Sequence, residues 1–196
     1  MTLPNKLTIS RFVFTVAFLA IMFSQMPFHE TIALALFVAG GISDFLDGYL
    51  ARRDRLITNF GILMDPLADK IMVCSAFIAF VGLNWIPAWM VVVIVARELA
   101  ITGLRLLAAS KNVVLAAEGY GKHKTVSQIV GIISILVWHS YDQWGPAGRA
   151  LFGPALFGEP WVKWFTDVAI WAAVALTIIS GCFYLWHNRA LYLDDM

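Results

Sequence analysis

Apolar residues run in long blocks along this chain, separated by short polar or turn-forming stretches. Blocks of near twenty residues match α-helices that cross a bilayer, whose hydrocarbon core takes about 20 residues at about 1.5 Å rise each. The pattern predicts six such helices, at about 9–27, 31–52, 61–83, 86–109, 123–141 and 164–186. Proline marks two boundaries: Pro27 closes the first block, and Pro87 opens the fourth, where a missing N–H is tolerated. The opening stretch LPNKLT, residues 3–8, predicts a short interfacial helix before the first span. The first block follows Arg11 and reaches Met26 with no small-residue cleavage motif, so it reads as a retained span. The fold class is then an all-α integral membrane protein with six transmembrane helices, and residues 1–196 form a single membrane-embedded domain.

Composition strengthens this reading. The chain is 60% hydrophobic, with eight Trp and fourteen Phe, where a soluble domain has roughly half its residues apolar. A formal net charge of +1 offers no global field for nucleic acid. Cys74 and Cys182 lie inside apolar runs and form neither a disulfide framework nor a metal pattern.

Lys and Arg set the orientation. Lys6, Arg11, Arg52, Arg53, Arg55, Arg105, Lys111, Lys122, Lys124 and Arg189 fall on one side; Arg149 and Lys163 fall on the other. Arg97 and Lys70 lie within spans. Both termini are therefore expected in the cytoplasm of a multi-pass inner-membrane protein. The outer segment 142–163, rich in Gly, Pro and aromatics, is expected along the membrane interface.

Charge inside the spans changes the picture most. Residues three and four apart share a helix face, so Asp44, Asp47, Gly48 and Ala51 form one stripe on the second helix. Gly61, Asp65 and Asp69 form another on the third. The two helices are antiparallel about a turn near residue 56, which puts Asp47 level with Asp65 and Asp44 nearly level with Asp69. Four facing carboxylates need protons or cations to offset them. A set of hard oxygen donors without His or Cys favours Mg²⁺, Mn²⁺ or Ca²⁺, and two divalent ions balance four carboxylates. Gly48, Ala51 and Gly61 leave room for a bulky group beside the ions. A competing reading pairs the acids with Arg52, Arg53, Arg55 and Lys70 as helix-end ion pairs, but four acids in register exceed what such pairing needs.

Written out, the stretch is Asp44-x-x-Asp47-Gly48-x-x-Ala51-Arg52, eight residues, then Gly61-x-x-x-Asp65-x-x-x-Asp69. It resembles the signature of the CDP-alcohol phosphatidyltransferases at every fixed position, and the six-span architecture is also that family's. The resemblance implies a homodimeric membrane enzyme that transfers a phosphatidyl group from CDP-diacylglycerol to an alcohol and releases CMP. It implies Asp44, Asp47, Asp65 and Asp69 as ligands of two Mg²⁺ or Mn²⁺ ions, with Asp69 also the general base. It places Asp44, Gly48, Ala51, Arg52 and Gly61 along the CDP-binding surface. The chemistry of the residues agrees, because paired divalent ions can offset a pyrophosphate's charge and a carboxylate can take the acceptor's proton.

The acceptor is addressed by other residues. Arg97 and Arg105 lie within about 80° of one face of the fourth helix, and GYGKHKTVSQ opens the fifth with Lys122 and Lys124. Such a basic pocket suits an acceptor carrying its own phosphate. The alternative for the lysines is orientation or contact with anionic lipid, and for Arg97 an ion pair with Glu98. RELAITGLR, GKHKTVSQ and the opening LPNKLTISR resemble the branch of the family whose acceptor is sn-glycerol 3-phosphate. Inositol phosphate or serine as acceptor, and a cation transporter using intramembrane acids, are the rival readings. Transport acids usually lie near mid-bilayer, which favours the enzyme.

Overall fold

The computed structural model describes the backbone of residues 3–54, 59–111 and 120–189, and the side chains of residues 9–43, 70–111 and 123–189. Six long helices form the body: α1 (Leu3–Met22), α2 (His29–Asp54), α3 (Asn59–Gly82), α4 (Ala88–Ser110), α5 (Tyr120–Ser140) and α7 (Trp161–His187). Between α5 and α7 the chain forms a 3₁₀ turn at Tyr141–Trp144, a short helix α6 (Gly145–Phe152) and a two-stranded antiparallel hairpin, β1 (Ala155–Leu156) with β2 (Glu159–Pro160). The six predicted helices are all present, with ends shifted by a few residues.

Two expectations change. Residues 3–8 form no separate interfacial helix; they continue into α1 as one element. Pro4 falls in the first turn, where its absent N–H breaks no bond, and nothing after it interrupts the helix. The first helix also stops at Met22, well before Pro27. The Ser24 amide and hydroxyl both donate to Ile21 O, at 3.0 and 2.8 Å, and so close the helix end locally.

The six-span expectation resolves differently along the chain. Among the described residues α7 is long and apolar enough to cross a bilayer by itself, while the apolar parts of α1, α2 and α3, residues 9–22, 29–43 and 70–82, are shorter. In α4 the apolar run is interrupted by Arg97, Glu98 and Arg105.

Side-chain pairings give the helix directions. Phe18 lies against Phe37 with ring centroids 6.1 Å apart and Phe14 faces Gly40, so α1 runs antiparallel to α2. Thr166 donates to Ser134 O at 3.1 Å and Gln128 to Thr177 at 3.1 Å, which sets α5 antiparallel to α7. Trp89 lies against Trp171 and Arg97 against Ser180, so α4 runs parallel to α7. The main apolar core gathers Phe18, Met22, Phe37, Phe77, Phe80, Ile94 and Leu136. Helices come very close at Gly40, where a Cβ would sit 2.8 Å from Met72 Cε.

At the end of the bundle near the α5–α7 connection, Trp144 Nε1 donates to Thr31 Oγ1 at 2.9 Å and Thr31 donates to Gln143 Oε1 at 3.1 Å. Gly148 packs α6 onto the 3₁₀ turn; a Cβ there would meet Tyr141 O at 2.1 Å. The segment expected only to lie along an interface is therefore folded and tied to the start of α2.

The outer surface differs from that of a soluble bundle, where charged and polar residues dominate the exterior. Val16, Val92, Leu99, Val168, Phe183 and Trp186 face outward, whereas Glu98, Lys124, Gln128, Ser134 and Thr177 are buried.

Candidate active site

α4 carries Arg97 and Glu98 at mid-helix, between an apolar first half and a second half ending at Ser110. Glu98 is the centre of a buried charged group. Its Oε1 receives Arg97 Nη1 at 3.3 Å and the Nζ of Lys124 from α5, and its Oε2 lies 3.6 Å from Lys70 Nζ of α3. The Glu98 and Lys124 side chains are only 4% and 6% exposed. Three basic side chains thus meet the Glu98 carboxylate. Buried charges are tolerated only when compensated, and losing one partner of such a group costs about 3–5 kcal/mol.

Lys70 and Arg97 each have a second anchor besides the Glu98 carboxylate. Lys70 Nζ donates to Glu98 O at 3.3 Å and to Thr102 Oγ1; the Thr102 hydroxyl donates in turn to Glu98 O at 2.7 Å. Arg97 Nη2 donates to Ser180 Oγ of α7 at 3.2 Å. The guanidinium stem lies against Gly181, where a Cβ would come within 2.9 Å of Arg97 Cγ. The Nε of Arg97 is buried with no hydrogen-bond partner among the described residues. Two turns further along α4, Arg105 Nε donates to Tyr184 OH at 3.2 Å, with the guanidinium 5.6 Å from the ring centroid.

The sequence-predicted residues fall as follows. Arg97 and Lys124 come together on Glu98. Arg97 and Arg105 both reach α7, at Ser180 and Tyr184, in keeping with their shared face of α4. Lys122 lies on α5, but its side chain is outside the described residues. Asp44, Asp47, Gly48, Ala51 and Arg52 lie on α2, and Gly61, Asp65 and Asp69 on α3; their side chains are outside the described residues as well. α3 continues as a single helix through Pro66. Asp69 immediately precedes Lys70, so this acid position and the α3 anchor of the cluster are neighbours, about 100° apart around the helix.

Sequence reasoning missed Lys70, Thr102, Ser180, Gly181 and Tyr184, and treated Glu98 as a partner of Arg97 alone. The available signal was a tally of charges: Lys70, Arg97 and Lys124 in otherwise apolar helices demand a counter-charge, and Glu98 is the acid that α4 supplies.

Among the described residues no group of three or more His, Cys, Asp or Glu side chains gathers to hold a metal. The donor set suited to a hard divalent ion is the four aspartates of α2 and α3, all carboxylate oxygens. Cys74 and Cys182 are both free thiols.

Comparison with known proteins follows the same boundaries. Residues 1–179 match the CDP-alcohol phosphatidyltransferase family. A protein of Bacillus subtilis (strain 168) named CDP-diacylglycerol–glycerol-3-phosphate 3-phosphatidyltransferase is 37% identical, over 95% of this chain and 94% of its own length. Proteins of the same name from Cereibacter sphaeroides and Rickettsia bellii are 31% and 33% identical, over 99% and 93% of this chain and 98% and 92% of their own lengths. With the match running through the first five long helices, both acid-bearing ones included, and into α7, the chain belongs to the CDP-alcohol phosphatidyltransferase family.

Proposed function

We propose that this protein transfers the phosphatidyl group of CDP-diacylglycerol to sn-glycerol 3-phosphate, forming phosphatidylglycerophosphate and CMP. The observation that carries this reading is the end-to-end similarity to relatives named for that reaction. The basic side chains gathered around Glu98 support a phosphate-bearing acceptor.

In this reading Asp44, Asp47, Asp65 and Asp69 hold two Mg²⁺ or Mn²⁺ ions. When bound, these ions offset the charge of the donor's pyrophosphate. Gly48, Ala51, Arg52 and Gly61 line the CDP moiety, their small side chains leaving space at the helix backbones. Arg97, Arg105, Lys122 and Lys124 hold the acceptor's phosphate through charge-assisted hydrogen bonds. The unused Nε of Arg97 supplies one further donor. Asp69 removes the proton of the acceptor hydroxyl. That oxygen then bonds to the donor's lipid-side phosphorus, and the bond from this phosphorus to the CMP oxygen breaks.

The reading also places six helices in the inner membrane as a homodimer, with both termini and the site toward the cytoplasm. The outward Val, Leu, Phe and Trp side chains and the buried charges support immersion in lipid. α4 and α5, which bury Glu98 and Lys124, then cross beside α7, the helix with the longest apolar run among the described residues.

The test is to reconstitute the protein in vesicles with CDP-diacylglycerol and Mg²⁺ and to supply acceptors singly. CMP release with glycerol 3-phosphate alone is the expected result. Release with inositol phosphate or serine assigns another acceptor, and cation flux without CMP release assigns a transporter. Chelation should abolish release, and Mg²⁺ or Mn²⁺ should restore it.

A further inference from the structure

We infer that Glu98 is a positioning residue: it draws the Lys124 ammonium inward and presents it, beside Arg97, to the acceptor's phosphate. This inference rests on the transferase reading for its kinetic consequence, but its structural content stands apart.

Three observations carry it. Glu98 is the meeting point of groups from three helices, Lys70 of α3, Arg97 of α4 and Lys124 of α5. Its partners are unequally dependent on it. Lys70 is also held by Thr102, and Arg97 by Ser180 and by its seat on Gly181. Lys124, by contrast, is bound through its Nζ to Glu98 and to no other group among the described residues, although it is almost fully buried. A lysine has a long flexible stem and tends to carry its charge to water when nothing holds it inside. Lys124 stands near the beginning of α5, only four residues past Tyr120, so a route to the bundle's end is short. The carboxylate therefore decides whether this ammonium sits inside the bundle or swings outward.

The shared carboxylate gives the arrangement its use. Among the described residues Arg97 and Lys124 share the Glu98 carboxylate and the buried Nε of Arg97 has no hydrogen-bond partner, so the pair keeps a donor for an incoming phosphate while staying assembled in its absence. Glu98 acts through Lys124 and does not itself touch substrate.

The experiment combines two readouts on the full chain in vesicles. Amine-reactive labelling of Lys124 in the folded protein, followed by mass spectrometry, reports its exposure. Steady-state kinetics report KM for glycerol 3-phosphate and for CDP-diacylglycerol separately. Glu98→Gln should raise the labelling rate of Lys124 by about tenfold or more and the acceptor's KM by about tenfold, as expected when one member of a buried charge pair is lost. The donor's KM should change less than about twofold, because its binding uses other residues. Glu98→Asp, which keeps the charge, should recover part of both effects and serves if the Gln variant does not fold. On a Lys124→Gln background, Glu98→Gln should add no further rise in the acceptor's KM. Unchanged labelling overturns the inference. So does a rise in both substrates' KM together, or an equal further effect on the Lys124→Gln background. If the wild type uses no phosphorylated acceptor at all, the transferase reading fails, and labelling of Lys124 still decides whether Glu98 holds it.

Discussion

The bundle has two halves that are held together in different ways. Around Phe18, Phe77, Phe80, Ile94 and Leu136 the interior is apolar, and aromatic rings interlock: Phe80 stacks on Trp85 at 5.4 Å, and Trp85 on His139 at 3.6 Å. Around Glu98 the interior is charged, and Lys70, Arg97 and Lys124 are fixed by ion pairs and hydrogen bonds. Packing tolerates a missing group by partial collapse, while a charged cluster does not, because each lost partner leaves another charge uncompensated. The apolar half thus serves as a frame, and in the proposed function the charged half holds the acceptor.

The largest separation between the halves should come from the acids bordering the charged half. Asp69→Asn should lower turnover by about 10³-fold, the scale of a lost general base, while the protein still inserts and folds. Near-normal CMP release from this variant rules out Asp69 as the base. The converse change is made in the frame. Phe80→Ala, in the apolar core, should lower unfolding stability by about 3 kcal/mol, read as thermal unfolding in detergent. The folded fraction should keep both substrates' KM near the wild-type values; a selective rise in the acceptor's KM would join the two halves functionally.

Smaller effects test the rim of the charged half. Arg105→Ala and Lys122→Ala should each raise the acceptor's KM by about tenfold, the loss of one charge-assisted contact, with the donor's KM little changed. Equal effects on both substrates would remove these residues from the acceptor pocket. Gly181→Ala should act more weakly, raising the acceptor's KM about threefold, the scale of one displaced and still flexible partner. The added Cβ lies 2.9 Å from Arg97 Cγ, so the guanidinium must shift from Ser180. Gly103→Ala on the same bundle, where a Cβ meets nothing within 4 Å, is the matched control.

What could be read from the sequence divides along the same line. Six helices were legible because apolar blocks of helical length are set by the local chain; the end of α1 was missed because Ser24 closes it by local hydrogen bonds inside an apolar block, and the folded connection 141–160 because distant contacts to α2 decide it. The signature from Asp44 to Asp69 was legible because its spacing is local to two helices. The hub at Glu98 was not. Its partners lie 26 and 28 positions away at Lys124 and Lys70, and their meeting depends on how α3, α4 and α5 are rotated against one another. That rotation is set by contacts without a sequence signal, such as the seat of Arg97 on Gly181. The 80° relation of Arg97 to Arg105 was correctly read, but the helix they face, α7, emerged only from Ser180 and Tyr184.

The division of labour between acids and cations is the central claim, and a paired kinetic measurement tests it most directly. In one vesicle assay, Lys124→Gln and Asp47→Asn are compared for the KM of glycerol 3-phosphate and for the Mg²⁺ concentration giving half-maximal CMP release. Lys124→Gln should raise the acceptor's KM about tenfold and leave the Mg²⁺ requirement in place, whereas Asp47→Asn should raise the Mg²⁺ requirement by a similar factor, the scale of one lost metal-site contact. If both variants shift the same quantity, the acids and the cations do not form separate sites.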